Sequence, residues 1–176
     1  LNEAVQQMRG EQPEQAEPEE TPVVVEIPVA ACLPESYVQD SRQKVALYKK
    51  IAACRKLQEL REVESELRDR FGPAPTEAQN LLQMMEIRLR ARGLEIPAVR
   101  VKEGKLQLVV PFLKPLTLKE KQKIWEITGW KTFEEPMTWL FGSLFGVAAG
   151  PPVYPPAPEM LHKILSLLHF LEGRPR

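Results

Sequence analysis

Four carboxylates, Glu59, Glu62, Glu66 and Asp69, recur at spacings of three, four and three. At about 100° per residue that spacing lines them along one face of a helix. Leu60, Val63, Leu67 and Phe71 fill an apolar sector roughly opposite. Like charges three and four apart repel by roughly 0.2–0.5 kcal/mol per pair, so nothing local rewards the alignment. Spacing alone leaves a plain solvated acidic face open as the alternative. A cationic surface on a partner would reward the row, because carboxylates on a rigid helix accept bidentate arginine pairs. Arg61, Arg68 and Arg70 lie off the row and brace it.

A second charged set offers phosphate contact: Arg88, Arg90 and Arg92, followed by Arg100, Lys102 and Lys105. Cations in a last helical turn also complement the helix dipole. Over all 176 residues, 24 Lys and Arg balance 24 Asp and Glu, a net charge of zero. A chain that wraps nucleic acid normally carries a basic excess. A nucleic-acid-binding module using this basic set is therefore the alternative function rather than the leading one.

Catalytic chemistry is not visible. His162 and His169 share a helical face but stand two turns apart, with no sequence partner beside either. Cys32 and Cys54 are 22 positions apart and belong to no CxxC pair. A metal site needs three or four convergent ligands, so these read as buried or idle thiols in a reducing, cytoplasmic compartment. Gly142-Ser143-Leu144-Phe145-Gly146 lacks the lysine of a phosphate-binding loop and reads as a tight turn in the core. No cofactor or metal is expected in this stretch of chain. No apolar run approaches the roughly 18–20 residues of a membrane span, and residues 1–9 are amphipathic with no signal-peptide core.

The elements that must position these residues follow from periodicity. Residues 10–22 carry five glutamates, no Lys or Arg and no large apolar side chain, the composition of an acidic flexible linker. Residues 1–9 read as the end of a helix belonging to a preceding module, and residues 23–176 as the folded domain. Residues 23–29, rich in valine and bounded by prolines, predict an edge strand. A helix follows over residues 41–54, with Val45, Tyr48, Ile51 and Ala52 on its apolar face. The helix carrying the acidic row ends at Phe71-Gly72-Pro73, where Gly tolerates a left-handed turn and Pro cannot continue. Thr76 to Gln79 reads as a capping box, opening a third helix with core positions Ala78, Leu82, Met85 and Leu89 that Gly93 closes. The period then changes to two, predicting a hairpin around Glu103-Gly104 with Val99, Val101, Leu106, Leu108 and Val110 flanking it. A second capping box at Thr117 and Glu120 opens a short helix ending at Gly129. Trp139, Leu140, Phe141, Leu144 and Phe145 fit a strand or a short buried helix. Residues 151–158 read as an extended polyproline connector. The last helix, residues 159–171, has a stripe of Leu161, Ile164, Leu165, Leu168 and Leu171. The sum is an α+β domain, with helices packed on a small sheet that includes a hairpin.

The run Glu66-Leu67-Arg68-Asp69-Arg70-Phe71-Gly72-Pro73 resembles the E-L-x-D-R-F-G signature of the C-terminal domain of bacterial transcription-repair coupling factors (Mfd). Pro34-Glu35-Ser36-Tyr37-Val38 with Asp40, then Arg42 and Leu47-Tyr48-Lys49, is similar to that domain's entry motif, in the right order. Leu1 to Val5 resembles the last helix of the family's translocase module, so the similarity spans roughly residues 1–112. The resemblance implies a domain without enzymatic activity, attached to an upstream ATP-dependent DNA translocase that uses ATP and Mg. It implies an intramolecular clamp on the UvrB-like N-terminal module, covering the surface that recruits UvrA and repressing the motor. RNA polymerase and DNA would be met by other domains of the parent. By resemblance, Glu66 and Asp69 take the positions of acidic residues that pair with arginines on that module. Tyr37, Asp40, Arg42, Tyr48, Arg70, Phe71 and Gly72 are motif positions, with Phe71 and Gly72 fixing the helix end.

Overall fold

A computed structural model describes residues 22–142 and 156–174 of the chain. The terminal-helix reading of residues 1–9, all but the last residue of the acidic segment, and Leu144 and Phe145 lie outside the described residues. In chain order the elements are β1 (Val24–Glu26), α1 (Ser41–Ala53), α2 (Leu57–Phe71), α3 (Thr76–Gly93), β2 (Ala98–Lys102), β3 (Lys105–Val109), α4 (Leu118–Thr128), β4 (Lys131–Glu135), β5 (Thr138–Gly142) and α5 (Ala157–Glu172). The strands form one mixed sheet in the order β1-β2-β3-β5-β4, with β1 parallel to β2 and every other pair antiparallel. The α+β expectation holds.

Two apolar clusters divide the interior. In the first, Val99, Leu106, Leu108, Trp139 and Phe141 from the sheet meet α4 through Ile124 and α5 through Leu161, Ile164, Leu168 and Leu171. The second joins Leu33 and Val38 to Leu47 and Ile51 of α1, and to Leu60, Val63 and Leu67 of α2. Helix α3 belongs to both: Ala78, Leu82, Met85 and Leu89 face the helical cluster, while Ile87 and Ala91 face the sheet and α5. The sequence points to the first of these faces. The second is masked because a helix buried on two sides loses the single apolar stripe that a 3.6-residue period detects.

Several local expectations are revised. On α1 the buried positions are Leu47 and Ile51, whereas Val45 is 53% exposed and Ala52 is also on the surface. Only one side of this short helix meets the core, and Leu47 is the residue that fills it. Helix α3 starts one residue earlier than a cap at Thr76 requires. Pro75 holds the N-cap position, and Gln79 donates its side-chain N–H to the Ala74 carbonyl (2.8 Å), so the Thr76–Gln79 box does not form. Its end at Gly93 is as expected, and the left-handed residue lies two positions beyond, at Glu95 (φ 57°). Residues 139–141 are strand, and their unforeseen partner β4 completes a hairpin through Pro136 and Met137. Ala157 and Pro158 belong to the first turn of α5, not to an extended connector. Proline is tolerated there because its missing N–H would have no intrahelical acceptor anyway. The Thr117–Glu120 box and the Glu103-Gly104 turn form as the sequence predicts.

Candidate protein-docking site

Helix α2 is held from both ends before its outer face is presented. At its start, Glu59 accepts from the backbone N–H groups of Arg55 (2.7 Å) and Lys56 (3.3 Å), satisfying donors that the first helical turn leaves open. These bonds, led by the one from Arg55, lower the Glu59 pKa. At its end, the Tyr37 hydroxyl donates within reach of two carbonyls, Leu67 (3.2 Å) and Gly72 (2.9 Å). The Tyr37 ring tilts against Phe71 with centroids 5.8 Å apart, and the Arg70 guanidinium lies 5.0 Å from the Phe71 centroid. Burial pushes the Tyr37 phenol up, against a smaller opposing pull from Arg68. Gly72 sits at φ 81°, a conformation that Gly adopts at little cost. The motif residues thus splice the entry turn to the helix end.

The remaining motif positions start α1. Asp40 is its N-cap, accepting from the N–H of Arg42 (2.7 Å) and of Gln43 (2.9 Å). The Tyr48 hydroxyl accepts from the Leu33 N–H (2.8 Å), tying α1 to the loop before it. Arg42 is on the surface, joined to this cap through its backbone.

The four carboxylates share the helix but not their bonding. Glu66 lies between Lys50 of α1, with which it forms a close ion pair, and Arg70 (2.8 Å) one turn on. Those two hydrogen bonds, Lys50 first, hold its pKa below the usual carboxylate range. Each Glu66 oxygen has one of its two lone-pair directions committed, which leaves room for a further donor. Glu62 is exposed and takes only a long bond from Gln58 (3.3 Å). Asp69 is exposed and has no side-chain partner among the described residues. Arg70 additionally donates to the side-chain amide oxygen of Gln43 (3.4 Å). Glu59 therefore serves the helix start, Glu66 is half-buried and tied to Lys50 and Arg70, and Glu62 and Asp69 are exposed. Lys50 and Gln43, which complete this network from α1, carry no sequence signal, because only the packing of α1 on α2 brings them near.

The alternative basic set does not converge. Arg90 is mostly buried between Glu86 (2.8 Å) and Glu172 (2.6 Å). Arg100 pairs with Glu26 (2.9 Å) across the sheet, and Lys102 and Lys105 flank the hairpin turn. Arg88 and Arg92 lie along α3 facing a different groove. Both cysteines are free, Cys32 exposed and Cys54 buried, and burial followed by nearby Glu59 raises the Cys54 thiol pKa. Among the described residues no three His, Cys, Asp or Glu side chains gather to hold a metal ion. Nor is any described helix long and apolar enough to cross a membrane.

The family model of the TRCF domain matches residues 27–120. The transcription-repair-coupling factor of Bacillus subtilis is 28% identical over 134 residues, covering 76% of this chain and 10% of that protein. Those of Haemophilus influenzae and Myxococcus xanthus are 37% identical over 105 residues and 35% identical over 107, covering 59% and 57% of this chain. The chain thus spans about a tenth of the length of the curated relatives it matches. A crystal structure of the C-terminal domain of transcription-repair coupling factor superposes with a TM-score of 0.65 at 24% identity, over 87% of this chain and 96% of that one, a likeness of fold. The matched stretch takes in α1, α2, α3 and the β2–β3 hairpin, with every motif residue described above, and the chain belongs to the TRCF domain family.

Proposed function

We propose that this domain is the non-catalytic regulatory C-terminal part of a transcription-repair coupling factor, a cytoplasmic ATP-dependent DNA translocase. Its outward α2 face docks on the UvrB-like module of the same protein, masks the surface that recruits UvrA and represses the motor. ATP, Mg, DNA and RNA polymerase belong to other parts of the parent. The observation that carries this reading is the pairing of a fixed carboxylate with an open one. Glu66 is held in place by Lys50 and Arg70, while Asp69, one turn on, is exposed and unpartnered among the described residues. A helix whose end is clamped by Tyr37 and Gly72 presents both without reorganisation, which reduces the entropy lost on docking. The acidic segment upstream serves as a tether, and a tether can supply an effective concentration in the millimolar range.

The test is a calorimetric titration of the isolated UvrB-like module with this chain. Asp69→Ala is expected to weaken docking by about 2 kcal/mol or more, because removing one member of a desolvated charge pair strands the other. Asp69 has no side-chain partner among the described residues, so the variant is expected to keep its fold. Equal affinity for wild type and variant would remove the acidic face from the mechanism.

A further inference from the structure

Strand β4 closes one edge of the sheet, and among the described residues nothing pairs with its outer side. Glu135 and Thr138 flank a two-residue turn and so form a hydrogen-bonded pair, and such pairs alternate along an antiparallel ladder. Lys131, Phe133 and Glu135 therefore exchange backbone bonds with β5, while Thr132 and Glu134 turn their N–H and C=O groups outward. An edge of that kind is a template for another strand. The opposite edge, β1, is three residues long and flanked by Pro22 and Pro28.

The side chains of β4 divide by face. Glu134 points to the helical side, where it accepts from the Leu116 N–H (2.7 Å) and from Lys121 of α4 (2.8 Å). Lys131, Phe133 and Glu135 stand exposed on the other face, and neither charge has an ion-pair partner among the described residues. On α4, Lys121 marks the flank above this edge, whereas Glu120, bonded to Arg174 beyond α5 (2.7 Å), marks the flank toward α5. Leu118 and Trp125 neighbour Lys121 at three residues before and four after, on the side away from Glu120. They are 83% and 47% exposed. Apolar surface and open backbone thus share one border of the molecule.

We propose that β4 pairs with β4 of a second copy of this chain, antiparallel and two-fold symmetric about Phe133, joining the two five-stranded sheets into a continuous one. The outward groups of Thr132 then meet those of Glu134 in the second copy, and Phe133 faces its own counterpart across the axis. Charge selects this register. Lys131 falls opposite Glu135 of the second copy, and symmetry makes the pair occur twice. A register centred on Glu134 would set that carboxylate against itself and bring in Pro136, which has no N–H to give. One centred on Thr132 would set Lys131 against Phe133. The Thr132 hydroxyl, buried and without a hydrogen-bond partner among the described residues, gains the Glu134 carboxylate of the second copy directly opposite. The axis stands normal to the sheet, so both α4 helices lie on one face, with Leu118 and Trp125 of each turned toward the other copy.

The experiment is sedimentation velocity on the whole chain, from micromolar to millimolar concentration. Wild type is expected to dimerise reversibly across that range. Lys131→Glu and Glu135→Lys each set like charges opposite one another at both ends of the paired strands, and each should raise the dissociation constant about tenfold or more. Mixed in equal amounts, the two variants restore opposite charges at both ends, so the mixture should dimerise as wild type does. That rescue is beyond variants that have merely lost their fold. A chain that stays monomeric throughout overturns the proposal. So does a dimer indifferent to both reversals, or a loss that mixing does not repair. None of these residues lies on α2, so the docking reading and this one fail separately.

Discussion

Tyr37 shows how much a single side chain can do. Its hydroxyl meets the carbonyl of Leu67 in the last turns of α2 and that of the cap residue Gly72, which lies beyond the helical ladder. Tyr37→Phe keeps the ring contact with Phe71 and removes only these bonds, so it is expected to cost about 1–2 kcal/mol, read as a lowered urea midpoint with unchanged slope. Gly72→Ala should cost about 1–3 kcal/mol from the backbone alone, because φ 81° with ψ −165° is a conformation essentially restricted to glycine. No atom lies within 4 Å of the position its Cβ would take, so steric clash adds nothing. The sequence pointed to Phe71, Gly72 and the capping roles of Thr117 and Glu120, because these act on their own neighbourhood. It was silent on Lys50, whose partner Glu66 is 16 positions away and is met only once two helices pack.

Among elements, α3 is the one whose pattern hid its role. Its face toward α1 and α2 reads clearly, but Ile87 and Ala91 on the other side are fully buried against the sheet and α5. Ile87→Ala is therefore expected to destabilise by about 2–5 kcal/mol, as a core position would, in a denaturant titration. The β4–β5 hairpin was illegible for a related reason: its turn carries Pro136 and Met137 instead of an Asn-Gly signal, and Met137 takes φ 59°.

The joint between α4 and α5 is electrostatic. Arg174, just beyond α5, donates to Glu120 (2.7 Å) and to the carbonyls of Lys114 and Pro115 (both 3.1 Å). With its bonds from Arg174 and then Thr117, the Glu120 carboxyl is held down to about 2 from an ordinary 4.5. A depressed carboxylate stabilises the fold fully above its unfolded value and loses that contribution as pH falls toward the folded one. Stability should thus drop between about pH 5 and pH 2, and Arg174→Ala should both lower stability at neutral pH by about 1.5–3 kcal/mol and flatten the acid slope. Chemical denaturation across that range measures both.

At the scale of the molecule, two cores share one helix. Fold class, helix order and the central hairpin were legible because each rests on local periodicity. The partition of the interior was not, since it depends on which side of α3 each half of the chain returns to.

That shared helix has a mechanical consequence. Melting either half of the interior strips one side of α3, so the amides in the middle of α3 should be among the slowest of the domain to exchange with solvent. A domain built this way is expected to move as one rigid piece.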